Sequence, residues 1–104
     1  MTDTAAAPAD TPAELNELDP AVFSRTVRRG RDCGELKVGE KRASELIAEF
    51  GSPLYVIDEA DAKSRAAEIL AAFQREFARV GAEATVYYAG KAFLCIEVAR
   101  WMTE

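Results

Sequence analysis

The chain has 104 residues, of which 49% are hydrophobic and 30% charged, and its formal net charge is −5. This length accommodates one small domain at most and falls well short of a complete (β/α)8 barrel. The acidic balance disfavours nucleic acid as a partner, and no apolar run reaches the ~18 residues that a membrane span requires. Because the chain contains no histidine, it cannot by itself provide Ser-His or Cys-His catalysis or a histidine-ligated metal site.

The first third of the chain divides into two predicted segments. Residues 1–20 are rich in Ala, Pro, Thr and Asp, which predicts a disordered tail, and they lack the basic start and apolar core of a secretory signal. Residues 21–50 are predicted to form a lead-in segment, with a short strand over Glu35–Val38 and a helix that stops at Gly51. A cluster of arginines in this segment suits either a phosphate-binding patch or a solvated surface, and the solvated surface is the commoner outcome. Its members are Arg25, Arg28, Arg29 and Arg31.

A strand and a long helix are predicted next. The apolar run Leu54–Ile57 predicts a short strand, and Asp58 is placed to cap a helix whose first turn contains Asp61. Gly81 is expected to end that helix. Its apolar residues follow helical spacing and predict one buried stripe, formed by Ala62, Ala66, Ile69, Leu70, Phe73, Phe77 and Val80.

The stretch Thr85–Trp101 completes the pattern. Its β-branched and aromatic start predicts a strand that ends near Ala89, and the spacing of Leu94, Val98 and Trp101 predicts a helix with Cys95 as a small buried residue. The order strand, helix, strand, helix indicates a parallel α/β arrangement. The two cysteines, Cys33 and Cys95, lack metal-ligand spacing, which favours reduced thiols in a cytosolic protein.

One lysine follows the second predicted strand. In α/β folds, catalytic residues collect beyond the carboxyl ends of the strands, although a lysine in that position is most often a solvated charge. By strand alternation, Lys91 shares a face with Ala89 and Tyr87. On the inner face of a barrel, a desolvated lysine could serve as a Schiff-base nucleophile.

The residues around Lys91 resemble a known signature. Tyr88-Ala89-Gly90-Lys91-Ala92 is similar to the Tyr-Ala-x-Lys-Ala motif of pyridoxal-phosphate decarboxylases with the alanine-racemase-like barrel. The longer run through Cys95, followed by Glu97-Val-Ala-Arg-Trp101, resembles the actinobacterial type of the diaminopimelate decarboxylase family. Many relatives have asparagine where this chain has Phe93. The run Phe50–Asp58 also resembles the entry to the barrel.

The resemblance implies a fold and a set of partners. It implies an α/β chain that forms the N-terminal portion of a (β/α)8 TIM barrel binding pyridoxal 5′-phosphate, with the barrel starting in residues 51–104 and truncated there. The lead-in strand near 35–38 would belong to a separate β-domain. The family also implies a cytoplasmic homodimer with a small amino-acid substrate.

The resemblance likewise implies a reaction, the decarboxylation of meso-2,6-diaminopimelate to L-lysine and CO2. Lys91 would be the catalytic residue that holds the cofactor, and Ala89 and Tyr87 would line it, although barrel packing alone is an open alternative for both. As an N-terminal fragment, the chain is expected to be inactive alone. The alternatives are a related decarboxylase of a basic amino acid or carboxylated polyamine, and a non-catalytic α/β binding module with Lys91 as a surface charge.

Overall fold

The structure, a computed structural model, describes residues 16–104. Most of the predicted tail, residues 1–15, therefore lies outside the described residues. Residues 16–20 adjoin the first structured turn, in which the side chain of Asp19 accepts a hydrogen bond of 2.8 Å from the backbone N–H of Ala21. The Asn16 carbonyl accepts another of 2.9 Å from Nε of Arg29.

A three-stranded antiparallel sheet forms the first part of the described chain. Its strands are β1 (Val27–Arg29), β2 (Leu36–Val38) and β3 (Lys41–Arg42), in that spatial order. The predicted strand over Glu35–Val38 is thus present as β2, in the centre of the sheet. β2 and β3 are joined by a two-residue loop whose first residue, Gly39, has φ +58, a conformation that glycine adopts without strain.

Helix α1 (Ala43–Phe50) follows β3 directly. Its first turn is tied down by two glutamates: Glu45 accepts 3.0 Å from the N–H of Arg42, and Glu35 accepts 2.7 Å from that of Ser44. The helix stops at Gly51, which has φ +87 and donates its N–H to the carbonyl of Ile47. The predicted stop is therefore found, and its cause is a backbone angle that favours glycine.

Helix α2 (Glu59–Ala78) is the longest element. Asp58 caps it by accepting a hydrogen bond from the N–H of Asp61, as predicted. The chain then turns at Gly81, which has φ +69. Helix α3 (Ile96–Trp101) is short and begins two residues after Leu94, which was predicted to belong to it.

The predicted burial of the α2 stripe is wrong for the described chain. Phe73 is 50% exposed, Ile69 49% and Val80 78%, and within residues 16–104 Val98 alone is buried. The stripe has the spacing of a buried face, but the described residues cover only its first half, where Ala62 and Ala66 are half-buried. The radius of gyration, 20.0 Å, also exceeds the ~13 Å that is typical of a compact domain of this length.

The two strands predicted from composition are likewise absent from the described structure. Leu54–Ile57 and Thr85–Ala89 carry no ladder hydrogen bonds, and the sheet contains only β1, β2 and β3. A strand requires the backbone of a neighbour, and neither segment has one among residues 16–104. The described fold is a small α/β arrangement with an antiparallel sheet. No helix in this part of the chain is long and apolar enough to cross a membrane.

Candidate active site

Lys91 lies in a turn between Ala89 and α3. The turn is packed closely at Gly90, where an added Cβ would come within 3.0 Å of a methyl carbon of Leu94. The phenol of Tyr88 donates a hydrogen bond of 2.6 Å to the carbonyl of Phe93 and so spans the turn. These two contacts fix the loop that carries Lys91.

The amine of Lys91 is exposed and forms no ion pair or hydrogen bond with any other residue of the described range. The other lysine near this part of the chain, Lys63, is engaged instead: its Nζ lies 2.5 Å from Oε2 of Glu104, and this contact raises its pKa. Lys91 is therefore accessible among residues 16–104, but it is not desolvated there, the condition under which a lysine is activated as a nucleophile.

The residues before Lys91 show the alternation that the sequence predicts. Tyr87 is 87% exposed, whereas Val86 and Tyr88 on either side of it are 41% and 45% exposed. Tyr88 lines an apolar cavity of about 280 Å³ together with Ala66 of α2 and Trp101 of α3. Tyr87 is thus more exposed than its two neighbours, but Tyr87 and Ala89 also line a cavity of about 520 Å³ beside Leu70 of α2, so both faces of the segment adjoin the helices. The roles of Tyr87, Ala89 and Lys91 toward a cofactor stay predictions.

The prediction for Cys95 as a small buried helix residue is wrong. Cys95 is the N-cap residue of α3 and is exposed, because the helix starts only at Ile96. Cys33 is exposed as well, and both thiols are free. No group of His, Cys, Asp or Glu in residues 16–104 has the arrangement of a metal site.

A polar cluster at the start of α2 was not anticipated beyond its capping role. Oδ2 of Asp58 accepts a hydrogen bond of 2.6 Å from Oγ of Ser24 and another from the hydroxyl of Thr26, which in turn accepts 2.9 Å from the N–H of Gly39. Desolvation opposes ionisation of Asp58, but the hydrogen bonds from Ser24, Thr26 and two backbone N–H groups outweigh it and lower its pKa. These hydrogen bonds connect the residues just before β1, and the loop between β2 and β3, to the N-terminus of α2.

A second contact holds the same two parts together. The guanidinium of Arg25 donates to both carboxylate oxygens of Glu68 on α2, at 2.5 and 2.8 Å. Its backbone N–H donates 3.1 Å to Oδ1 of Asp61. No local pattern in the sequence reveals these pairings, because the partners are 36 to 43 residues apart.

Comparison with known proteins identifies relatives over most of the chain. It is 44% identical over 91 residues to the diaminopimelate decarboxylase of Mycobacterium tuberculosis, 40% to that of Mycobacterium leprae and 37% to that of Corynebacterium efficiens. Each match covers 88% of this chain, and the chain spans about one fifth of the length of these relatives. No family model and no solved structure matches the chain. The resemblance drawn from the residues around Lys91 is thereby confirmed.

Proposed function

We propose that this chain is part of a diaminopimelate decarboxylase, a carboxy-lyase that converts meso-2,6-diaminopimelate to L-lysine and CO2, the last step of lysine biosynthesis. The observation that carries the proposal is the identity of 37 to 44% to such enzymes over 91 residues. The run Tyr88–Cys95 supports it with a lysine in a recognisable setting.

The proposed cofactor is pyridoxal 5′-phosphate, and the residues present suit it. Covalent attachment requires a primary amine that is not held in an ion pair, and Lys91 meets this condition among the residues described. Ala89 has a small side chain and leaves room for a flat ring, while Tyr87 offers an aromatic surface on the same face by alternation. When bound, the cofactor supplies an electron sink for cleavage of the bond to the departing carboxylate.

The chain's own residues then have three tasks. Nζ of Lys91 would hold the cofactor covalently and, when free, would be placed to hold or deliver a proton. Tyr87 and Ala89 limit the positions that the ring can take. Tyr88 holds the turn through its bond to Phe93 and so keeps Lys91 in place.

The proposal extends to the architecture of the whole protein. Residues 51–104 would begin a (β/α)8 barrel, in which Leu54–Ile57 and Thr85–Ala89 become neighbouring parallel strands covered by the stripe of α2. Residues 21–50 would belong to a separate β-domain. The whole protein would be a cytoplasmic homodimer with a small amino-acid substrate.

The test uses the whole decarboxylase with Lys91→Ala and, as a matched control, Lys41→Ala at an exposed position of β3. We expect Lys91→Ala to abolish lysine formation and covalent attachment of the cofactor, and Lys41→Ala to retain both. Borohydride reduction followed by peptide mapping should find the pyridoxyl group on Lys91 and on none of Lys37, Lys41 and Lys63. Decarboxylation of diaminopimelate at a normal rate by Lys91→Ala would overturn the proposal.

Substrate comparison separates the related decarboxylases. The proposal predicts that turnover of meso-diaminopimelate exceeds that of lysine, ornithine and carboxyspermidine. Preference for one of the latter would retain the Lys91 chemistry and reject the substrate. A protein that neither binds the cofactor nor releases CO2 would instead support a non-catalytic binding module.

A further inference from the structure

Three cationic side chains stand in a row across the sheet. In the antiparallel register, Arg28 of β1 is opposite Lys37 of β2, and Lys37 is opposite Arg42 of β3. Residues directly opposite in such pairs project from the same face, with Cβ atoms about 5 Å apart. Like charges in this arrangement repel one another, so the row is unfavourable unless negative charge lies on it.

The row lines a cavity of about 450 Å³, in the size range of sites for small ligands. Arg29 and Arg31 add two further cations to the lining, and Gly30 contributes backbone without a side chain. Because Gly30 lacks a Cβ, the carboxylate of Asp32 can approach its backbone; an added Cβ would come 2.8 Å from Oδ1 of Asp32. The cavity is therefore lined mainly by cationic side chains, with Asp32 as its one acidic residue.

The carboxylates nearby compensate the two outer cations of the row but not the central one. Arg28 pairs with Glu40 at 2.7 Å, and Arg42 pairs with Asp32 at 3.0 Å and with Glu35 at 3.9 Å. Lys37, in the centre of the row, has no carboxylate within ion-pair distance among residues 16–104, and neither has Arg31. Lys37 is also half-buried, so water compensates its charge less than at an exposed position.

We propose that the cavity on the row Arg28–Lys37–Arg42 binds a small anion that carries phosphate groups. Guanidinium groups bind such oxyanions in a bidentate manner, and each phosphate offers three strong acceptor oxygens to several cations at once. A diphosphate placed over Lys37 would meet the amine that lacks a partner among residues 16–104 and relieve the repulsion along the row. This proposal does not depend on the decarboxylase activity and concerns a different part of the chain from Lys91.

The test measures binding of inorganic pyrophosphate by calorimetry at low salt, with the whole protein saturated with pyridoxal phosphate. We expect Lys37→Gln to bind about tenfold more weakly, the effect of losing one charge-assisted contact. Arg79→Gln, which removes the same charge near the far end of α2, should bind within twofold of the unmodified protein. Asp32→Asn should bind several-fold more tightly, because it removes the acidic residue of the lining and the nearer of the two carboxylates that pair with Arg42.

Stability provides a second measurement. Without pyrophosphate, the Lys37→Gln variant should melt at the same temperature as the unmodified protein or higher, since a repulsive charge is removed. If Lys37→Gln fails to fold, Arg31→Gln takes its place in both measurements. Pyrophosphate should raise the melting temperature of the unmodified protein more than that of either variant. Absence of binding, equal weakening by Lys37→Gln and Arg79→Gln, or unchanged affinity in Asp32→Asn would each overturn the proposal.

Discussion

Substitution of Asp58 by alanine tests how the sheet is held to α2. The carboxylate accepts from the N–H of Asp61 at 3.2 Å, from Ser24 at 2.6 Å and from the hydroxyl of Thr26. Alanine removes all three acceptor contacts at once. Asparagine at the same position keeps the capping interaction with the helix but loses the negative charge that the hydroxyls bind.

The magnitude follows from these contacts. Loss of an N-cap costs about 1 kcal/mol. Each hydroxyl bond to the carboxylate adds about 0.5 to 1 kcal/mol, below the ~1.5 to 3 kcal/mol usual for charged groups, because the carboxylate is only half-buried. We therefore expect Asp58→Ala to lower the free energy of local opening at the start of α2 by about 2 to 3 kcal/mol.

Hydrogen exchange in the whole protein measures this opening directly. A loss of about 2 kcal/mol accelerates exchange of the first-turn amides of α2 about 30-fold. Asp58→Asn should accelerate it only a few-fold, and Glu76→Ala, near the other end of α2, should leave the first turn unchanged. Equal exchange rates in Asp58→Ala and the unmodified protein would refute the role assigned to this cluster.

The same cluster predicts a pH dependence. The pKa of Asp58 is lowered from its ordinary value of 3.8, so its ionised form stabilises the folded state. This contribution is complete at pH values above the ordinary pKa and is lost as the pH falls through the lowered one. The difference in exchange between the unmodified protein and Asp58→Asn should therefore shrink below about pH 4. A constant difference down to pH 2 would contradict the assigned ionisation.

Two further predictions concern the surfaces that the described chain leaves uncovered. In the whole protein, Phe73→Ala should lower the free energy of unfolding by about 3 kcal/mol, because the proposed barrel buries the stripe of α2. A loss below about 1 kcal/mol is the size expected for a half-exposed side chain and would argue against burial of the stripe by the barrel. Made alone, the 104-residue chain should show amide exchange at Thr85–Ala89 close to that of an unfolded peptide, since these amides have no ladder partner among residues 16–104. It should also form no lysine when pyridoxal phosphate is added. Slow exchange there together with lysine formation would show that the chain is self-sufficient.

The helices were predictable because their signals are local. Asp58 caps α2 through the N–H three residues later, and Gly51 ends α1 through its own positive φ, so a few adjacent residues determine each boundary. The start of α3 was placed too early, because Leu94 and Cys95 have helical spacing but precede the first helical turn. Periodicity locates an apolar face better than it locates an end.

The strands were harder for a physical reason. β1 and β3 consist largely of exposed basic residues and lack the apolar composition that predicts a strand. Gly39, in the two-residue loop between β2 and β3, was a usable signal for that hairpin. Leu54–Ile57 and Thr85–Ala89 have that composition but no neighbour to pair with among the described residues. Pairing depends on residues distant in sequence, and so do the contacts of Ser24 and Thr26 with Asp58.

The composition of the sheet's outer strands has a consequence for self-association. β1 and β3 each have one side without a strand partner in the described part of the chain, and such edges invite other chains to add a strand. Here the edges carry Arg28 and Arg29 on one side and Lys41 and Arg42 on the other. Two copies that approached edge to edge would bring these cations together, so the same charges protect the sheet against fibrous aggregation.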